Sequence, residues 1–103
     1  MQTFTAERVD GMTWPPNPRG DSRTAAIRAP GRIVMLVRKG SVWVRLQDGT
    51  RQNFTAPSVV TWEQGDWVEY GLRTGEGGQT ESYWADDFSE EEHQALLAEL
   101  FGP

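Results

Sequence analysis

Few side chains in this 103-residue chain can carry chemistry, and their types narrow the field quickly. There is no cysteine, which removes disulfides, thiolate nucleophiles and cysteine-ligated metals together. The single histidine, His93, is the natural candidate for a lone acid or base, histidine being the side-chain type suited to that work near neutrality. Its place on the border of a helical apolar stripe, with no carboxylate in a predictable orienting geometry, points instead to a packing or helix-surface role. Glu63, Asp66, Glu69 and Glu81 lie on or beside strand-like segments. An acid–base pair would need two of them in one cleft with separated pKa values, and their spacing shows no convergence, so solvated carboxylates are expected. Arg28, Arg38 and Arg45 could each hold a ligand carboxylate, but an outward strand arginine paired with a neighbouring acid is the commoner arrangement. What remains is aromatic. Trp14, Trp43, Trp62, Trp67 and Trp84 offer either a stacking pocket for a planar or sugar-like ligand or the filling of a core and an interface, and a division between the two is expected.

Charge and composition restrict the partners. Asp+Glu number 15 against Lys+Arg 10, a net charge of -5, and the basic residues are scattered rather than gathered into a stripe. Attraction to nucleic acid or anionic lipid is therefore not expected. Met1 to Asp10 lacks the charged start and apolar run of a signal peptide, and no stretch approaches the roughly 18 apolar residues of a membrane span. A cytoplasmic location is the expectation. One domain over 1–103, with a core of modest size, makes a homodimer the default assembly.

The elements that must position these residues read mostly as short strands. Thr3 to Val9 has strand character, and Met12 to Gly20, with prolines at 15, 16 and 18, reads as an ordered arm or loop whose Trp14 packs. Residues 1–22 thus form an N-terminal strand and proline-rich arm. Strand signals then recur at Arg23–Ala29, Arg32–Arg38, Val42–Gln47, Arg51–Thr55, Ser58–Trp62, Trp67–Arg73 and Gln79–Ala85, a spacing that predicts a β sandwich or barrel. Asp48-Gly49 supplies the positive φ angles of a tight hairpin turn, with Val42, Val44 and Leu46 on one face and Trp43, Arg45 and Gln47 on the other. Gly75-Glu76-Gly77-Gly78 reads as a hairpin loop between the last two strands. It lacks the following helix and the Lys-Ser/Thr of a phosphate loop. Residues 89–102 form the one helix: Ser89 with Glu92 makes a capping box, Glu90 and Glu91 suit the dipole, and Gly102-Pro103 ends it. Its apolar face, Leu96, Leu97, Leu100 and Phe101, must dock on the sheets or on a partner subunit.

From Arg32 to Gly71 the chain resembles the cupin superfamily. Arg32-Ile-Val-Met-Leu-Val-Arg-Lys-Gly-Ser-Val-Trp-Val44 matches the strand, glycine (Gly40) and strand of the first cupin motif, and Ala56 to Val68 runs in the register of the second. The resemblance implies an all-β, cupin-like β barrel or jelly roll carrying a short C-terminal α-helix. It also implies where metal ligands would stand: near Ile27 and Ala29, on Ile33 and on Val68. The glycine and proline that open the second motif are replaced by Pro57 and Glu63, so its register is approximate. None of the four ligand positions offers a lone pair, so no metal and no cofactor are expected.

If Val68 faces the interior, pleat alternation places Tyr70 and Leu72 inside with it and Trp67 and Glu69 outside. By the same alternation Ile33, Met35 and Val37 face in, while Val34, Leu36 and Trp43 face out, an apolar patch that a dimer seam or the C-terminal helix must cover. The expected pocket is Met35, Trp62, Val68, Tyr70 and Trp84. The functional expectation is a metal-independent cupin-like protein that binds a small organic ligand or acts as an interaction module. The alternative is a metal-free isomerase, epimerase or cyclase using tyrosine or carboxylate acid–base chemistry, favoured if the barrel holds a buried Tyr–Glu or Tyr–Arg pair; no catalytic residue is assigned.

Overall fold

The structure is a computed structural model that describes residues 10–14, 26–72 and 77–102. Among these residues nine strands and one helix follow in the order β1 (Asp10–Trp14), β2 (Ile27–Arg28), β3 (Ile33–Lys39), β4 (Ser41–Arg45), β5 (Arg51–Thr55), β6 (Ser58–Trp62), β7 (Trp67–Val68), β8 (Tyr70–Leu72), β9 (Gly78–Trp84) and α1 (Glu90–Phe101), with a 3-10 turn at Ala85–Asp87. One layer has the order β1-β9-β3-β6, and all its pairings are antiparallel. The other is built from β2-β7 and β5-β4-β8. Only Glu69 separates β7 from β8, and its carbonyl accepts from Arg45 N at 2.9 Å, so these pieces make one bent surface facing the first layer. The layers pack as a jelly roll and do not close into a barrel.

The alternation of apolar residues decides which face each strand buries. Met35, Val37, Val60 and Trp62 from one layer meet Val42, Val44, Val68 and Leu72 from the other in a single core, with Ile33, Leu46, Phe54 and Tyr70 packed against it. Val34 and Leu36 point the opposite way, as expected, and it is the helix that covers them: they form a second cluster with Tyr83, Phe88 and Leu96, flanked by Val59, Leu97 and Leu100. The capping box is present in full, Ser89 Oγ accepting from Glu92 N at 3.1 Å and Glu92 Oε1 accepting from Ser89 N at 3.0 Å.

Several expectations are corrected. Asp10–Trp14 is a strand paired with β9, not an arm; the strand expected at 3–9, the proline-rich run and the packing of Trp14 lie outside the described residues. The strand expected from Arg23 is formed, among the described residues, only at Ile27–Arg28. Trp67–Arg73 is not one strand, because β7 pairs with β2 and β8 with β4. Nor do β8 and β9 form a hairpin, since they belong to different layers; of the glycine-rich segment, Gly77 and Gly78 are described.

The Asp48-Gly49 hairpin forms, but only Gly49 has positive φ, at 91°. Gly49 N donates to Leu46 O and Leu46 N to Thr50 O, a wider turn ending in one left-handed glycine. Asp48 instead accepts from Thr50 N and Oγ1, at 2.9 and 2.7 Å, and these bonds lower its pKa. Finally, Phe101 is not on the docked face of α1; it is 55% exposed, whereas Leu96 is buried.

Candidate functional site

The space where the fold's resemblance would place a metal is filled with alkyl and aromatic groups. Met35, Val37, Val42 and Leu72 are fully buried, and Val44 and Trp62 nearly so. Ala29, Ile33 and Val68 belong to or pack against this core, while Ile27, paired with Val68, leaves it and is 47% exposed. These groups offer no donor set. No cluster of three or more His, Asp or Glu residues that could hold a metal occurs among the described residues.

Of the five residues expected to line a pocket, Met35, Trp62, Val68 and Tyr70 come together. Trp62 and Tyr70 stack with ring centroids 5.5 Å apart at 32°, and Tyr70 is hydrogen-bonded to Ser82, with its pKa raised by burial. Trp84 does not join them. It stands opposite Ile33 at the end of β9, where the chain turns into the 3-10 segment, and is 43% exposed. The four that converge do so as packed core.

Among the described residues, two depressions bear on the site. One, of about 280 Å³, opens along the seam between the outer strands β5 and β6, where the two layers fail to join; Val44, Leu46, Phe54, Val60 and Trp62 form its apolar part. At its rim Gln47 clamps Trp67, its Nε2 donating to Trp67 O at 2.9 Å and its Oε1 accepting from Trp67 N at 2.7 Å. The second, also about 280 Å³, lies outside the sandwich where α1 begins, bordered by Arg32, Asp86, Ser89, Glu90 and His93.

His93 in the second depression has a partner that the sequence did not reveal. Tyr83 Oη lies 2.5 Å from His93 Nδ1. Burial pushes the Tyr83 phenol up to about 12, so it meets the imidazole as a neutral phenol near neutrality. The helical position of His93 was legible, whereas Tyr83 was not singled out; their meeting depended on how α1 lies across β9. The described contacts of Tyr83 are to His93 and Phe88.

The arginines behave as an ordinary strand surface. Arg38 pairs with Glu81 and reaches Glu99 at 3.4 Å, tying β3 and β9 to the helix. Arg45 lies 3.6 Å from Glu69, which accepts from Trp67 Nε1 at 3.1 Å. Arg28 sits over Trp67 and Arg51 over Trp43, 5.1 and 3.7 Å from the ring centroids. Trp43 points away from the main core, as expected, yet is only 2% exposed.

Known structures resemble this arrangement in fold. The cupin domain of Drosophila melanogaster CENP-C superposes with TM-score 0.64 at 12% identity, over 82% of this chain and 65% of that one. The same domain bound to CAL1 gives TM-score 0.64 at 12% identity, over 82% and 70%. A cupin superfamily protein of Desulfitobacterium hafniense gives TM-score 0.58 at 10% identity, over 82% and 73%. The chain thus spans slightly less than two thirds of the CENP-C cupin domain. No family model and no curated protein matches the sequence. The fold is cupin-like. No helix among the described residues is long and apolar enough to cross a membrane.

Proposed function

We propose that this domain works as a protein-interaction module on a cupin-like scaffold rather than as a receptor for a small molecule in its interior. One observation carries the reading: Met35, Val37, Val42 and Leu72, all at 0% exposure, occupy the space between the layers that a ligand would need. Small-molecule sites are usually clefts of about 300–1,000 Å³ that enclose most of the ligand. The depression at the seam, about 280 Å³, is at the bottom of that range and open, and its apolar walls, Trp62 among them, are better suited to a protruding side chain. The CENP-C cupin domain, seen bound to CAL1, is a precedent for such a use of the fold. A homodimer and a cytoplasmic setting belong to this proposal.

The acid–base alternative gains little. A phenol raised to about 12, as in Tyr83, is a hydrogen-bond donor and not a proton acceptor near neutrality. Native mass spectrometry of the protein purified from its own host, sprayed without denaturation, tests the proposal. The expected spectrum contains the polypeptide and its protein assemblies without an adduct. A stoichiometric small molecule that leaves only on unfolding would overturn it.

A further inference from the structure

We infer that the chain pairs with a second copy of itself through β6, the two strands running antiparallel about a two-fold axis at Val60 and joining two four-stranded layers into one continuous sheet. The inference rests on the interaction-module reading and names its partner.

Among the described residues β6 is the outer strand of its layer. An outer strand presents a row of unpaired N–H and C=O groups, and natural proteins normally blunt it with charge, proline or a bulge. β6 carries none of these within Ser58–Trp62, and Ala56 to Trp62 holds no charged residue in a chain that is 24% charged. It is the one described strand of five or more residues without a charge: β1 carries Asp10, β3 Arg38 and Lys39, β4 Arg45, β5 Arg51 and β9 Glu81. Two copies that each carry -5 repel at most surfaces, so an uncharged edge is where they approach at least electrostatic cost.

The strand is also complementary to itself. With Val60 on the axis, Val60 faces its own copy, Val59 faces Thr61 and Ser58 faces Trp62. Each is a β-branched or aromatic-with-small pair, and no like charges meet. The nearest acid, Glu63, is already held by Arg32 at 2.9 Å. On the inner face Val60 and Trp62 border the 280 Å³ depression at the seam. A paired strand sets the Val60 and Ser58 side chains of the second copy beside that depression and fills part of it. On the outer face the pairing covers half-buried Val59 and exposed Thr61.

The absence of cysteine makes the test clean. Residues directly opposite in an antiparallel pair have Cα atoms about 4.5–5.5 Å apart, within disulfide reach. Val60→Cys, mildly oxidised, should therefore run as a covalent dimer on a non-reducing gel. Thr61→Cys, whose thiol meets Val59 and lies diagonal to its own copy, should stay mainly monomeric. Light scattering after size exclusion should give a dimer mass for the wild type, a monomer for V59K/T61K, which sets lysines opposite one another, and a dimer again for V59E/T61K, which pairs opposite charges in the same register. Should the charged variants fail to fold, the two cysteine variants decide alone. A wild type that stays monomeric at all concentrations, or a dimeric wild type whose Val60→Cys variant does not cross-link, overturns the β6 interface. Neither result touches the packed-interior reading, which only a bound small molecule would remove.

Discussion

Tyr83 and His93 form one polar contact between β9 and α1, beside the Arg38–Glu99 pair, where largely apolar surfaces meet. Tyr83 is 3% exposed and its hydroxyl has one described partner, so Tyr83→Phe should leave Nδ1 of His93 without this hydrogen bond and cost about 1 kcal/mol. Urea unfolding at neutral pH measures this. The same phenol sets an alkaline limit. Its folded pKa, about 12, lies above the ordinary 10, so the folded state holds the proton more tightly than the unfolded one. Stability from this source is complete below pH 10 and is lost as pH rises from 10 towards 12. The fall in melting temperature over that range should be shallower in Tyr83→Phe and shallower still when Tyr70, also raised by burial, is replaced as well. Gly40 is sensitive for a different reason. It has φ +77°, and an added Cβ would strike the carbonyl oxygen of Gly77, whereas Gly31 has open space around it. Gly40→Ala should destabilise by more than about 1 kcal/mol while Gly31→Ala stays near neutral, a contrast that denaturant midpoints resolve.

Among the elements, α1 separates what periodicity specifies from what docking adds. Its start was readable because a capping box is local chemistry, and Ser89 with Glu92 forms it as expected. Its buried face was only half readable, since Leu96, Leu97, Leu100 and Phe101 all fit an apolar stripe. The angle at which α1 crosses β3 and β9 buries Leu96 at 2% and leaves Phe101 at 55%. Leu96→Ala should therefore cost about 2–5 kcal/mol, Leu97→Ala less, and Phe101→Ala little. Equal unfolding midpoints for all three would show that the helix is not docked. The split between β7 and β8 at Glu69 has a similar origin. Trp67 to Leu72 alternates like a single strand, but the bent second layer pairs its two halves with β2 and β4, and sequence periodicity does not record a change of partner.

At the scale of the whole molecule, the chain keeps a cupin-like scaffold and fills its centre with alkyl and aromatic side chains. Ala29, Ile33 and Val68 offer no lone pair, and burying a divalent ion among them would cost far more than one site could return. Elemental analysis should find no stoichiometric metal, EDTA should leave the melting temperature unchanged, and Val68→His alone should create no site, because a single imidazole is too few ligands. Iron, manganese, nickel or zinc held at one per chain after desalting would refute this. The sequence by itself determined the strand alternation, the inward set Met35, Val37, Val42, Val44 and Val68, the capped helix and the poverty of metal donors, because each depends on residue type and on periods of two or 3.6. Tertiary structure alone decided that the two layers stay open at β5 and β6, that Trp84 and Ile27 face solvent, and that Tyr83 meets His93. Those features depend on which segments become neighbours across the fold, and contacts between residues distant in the chain leave no period for a sequence to display.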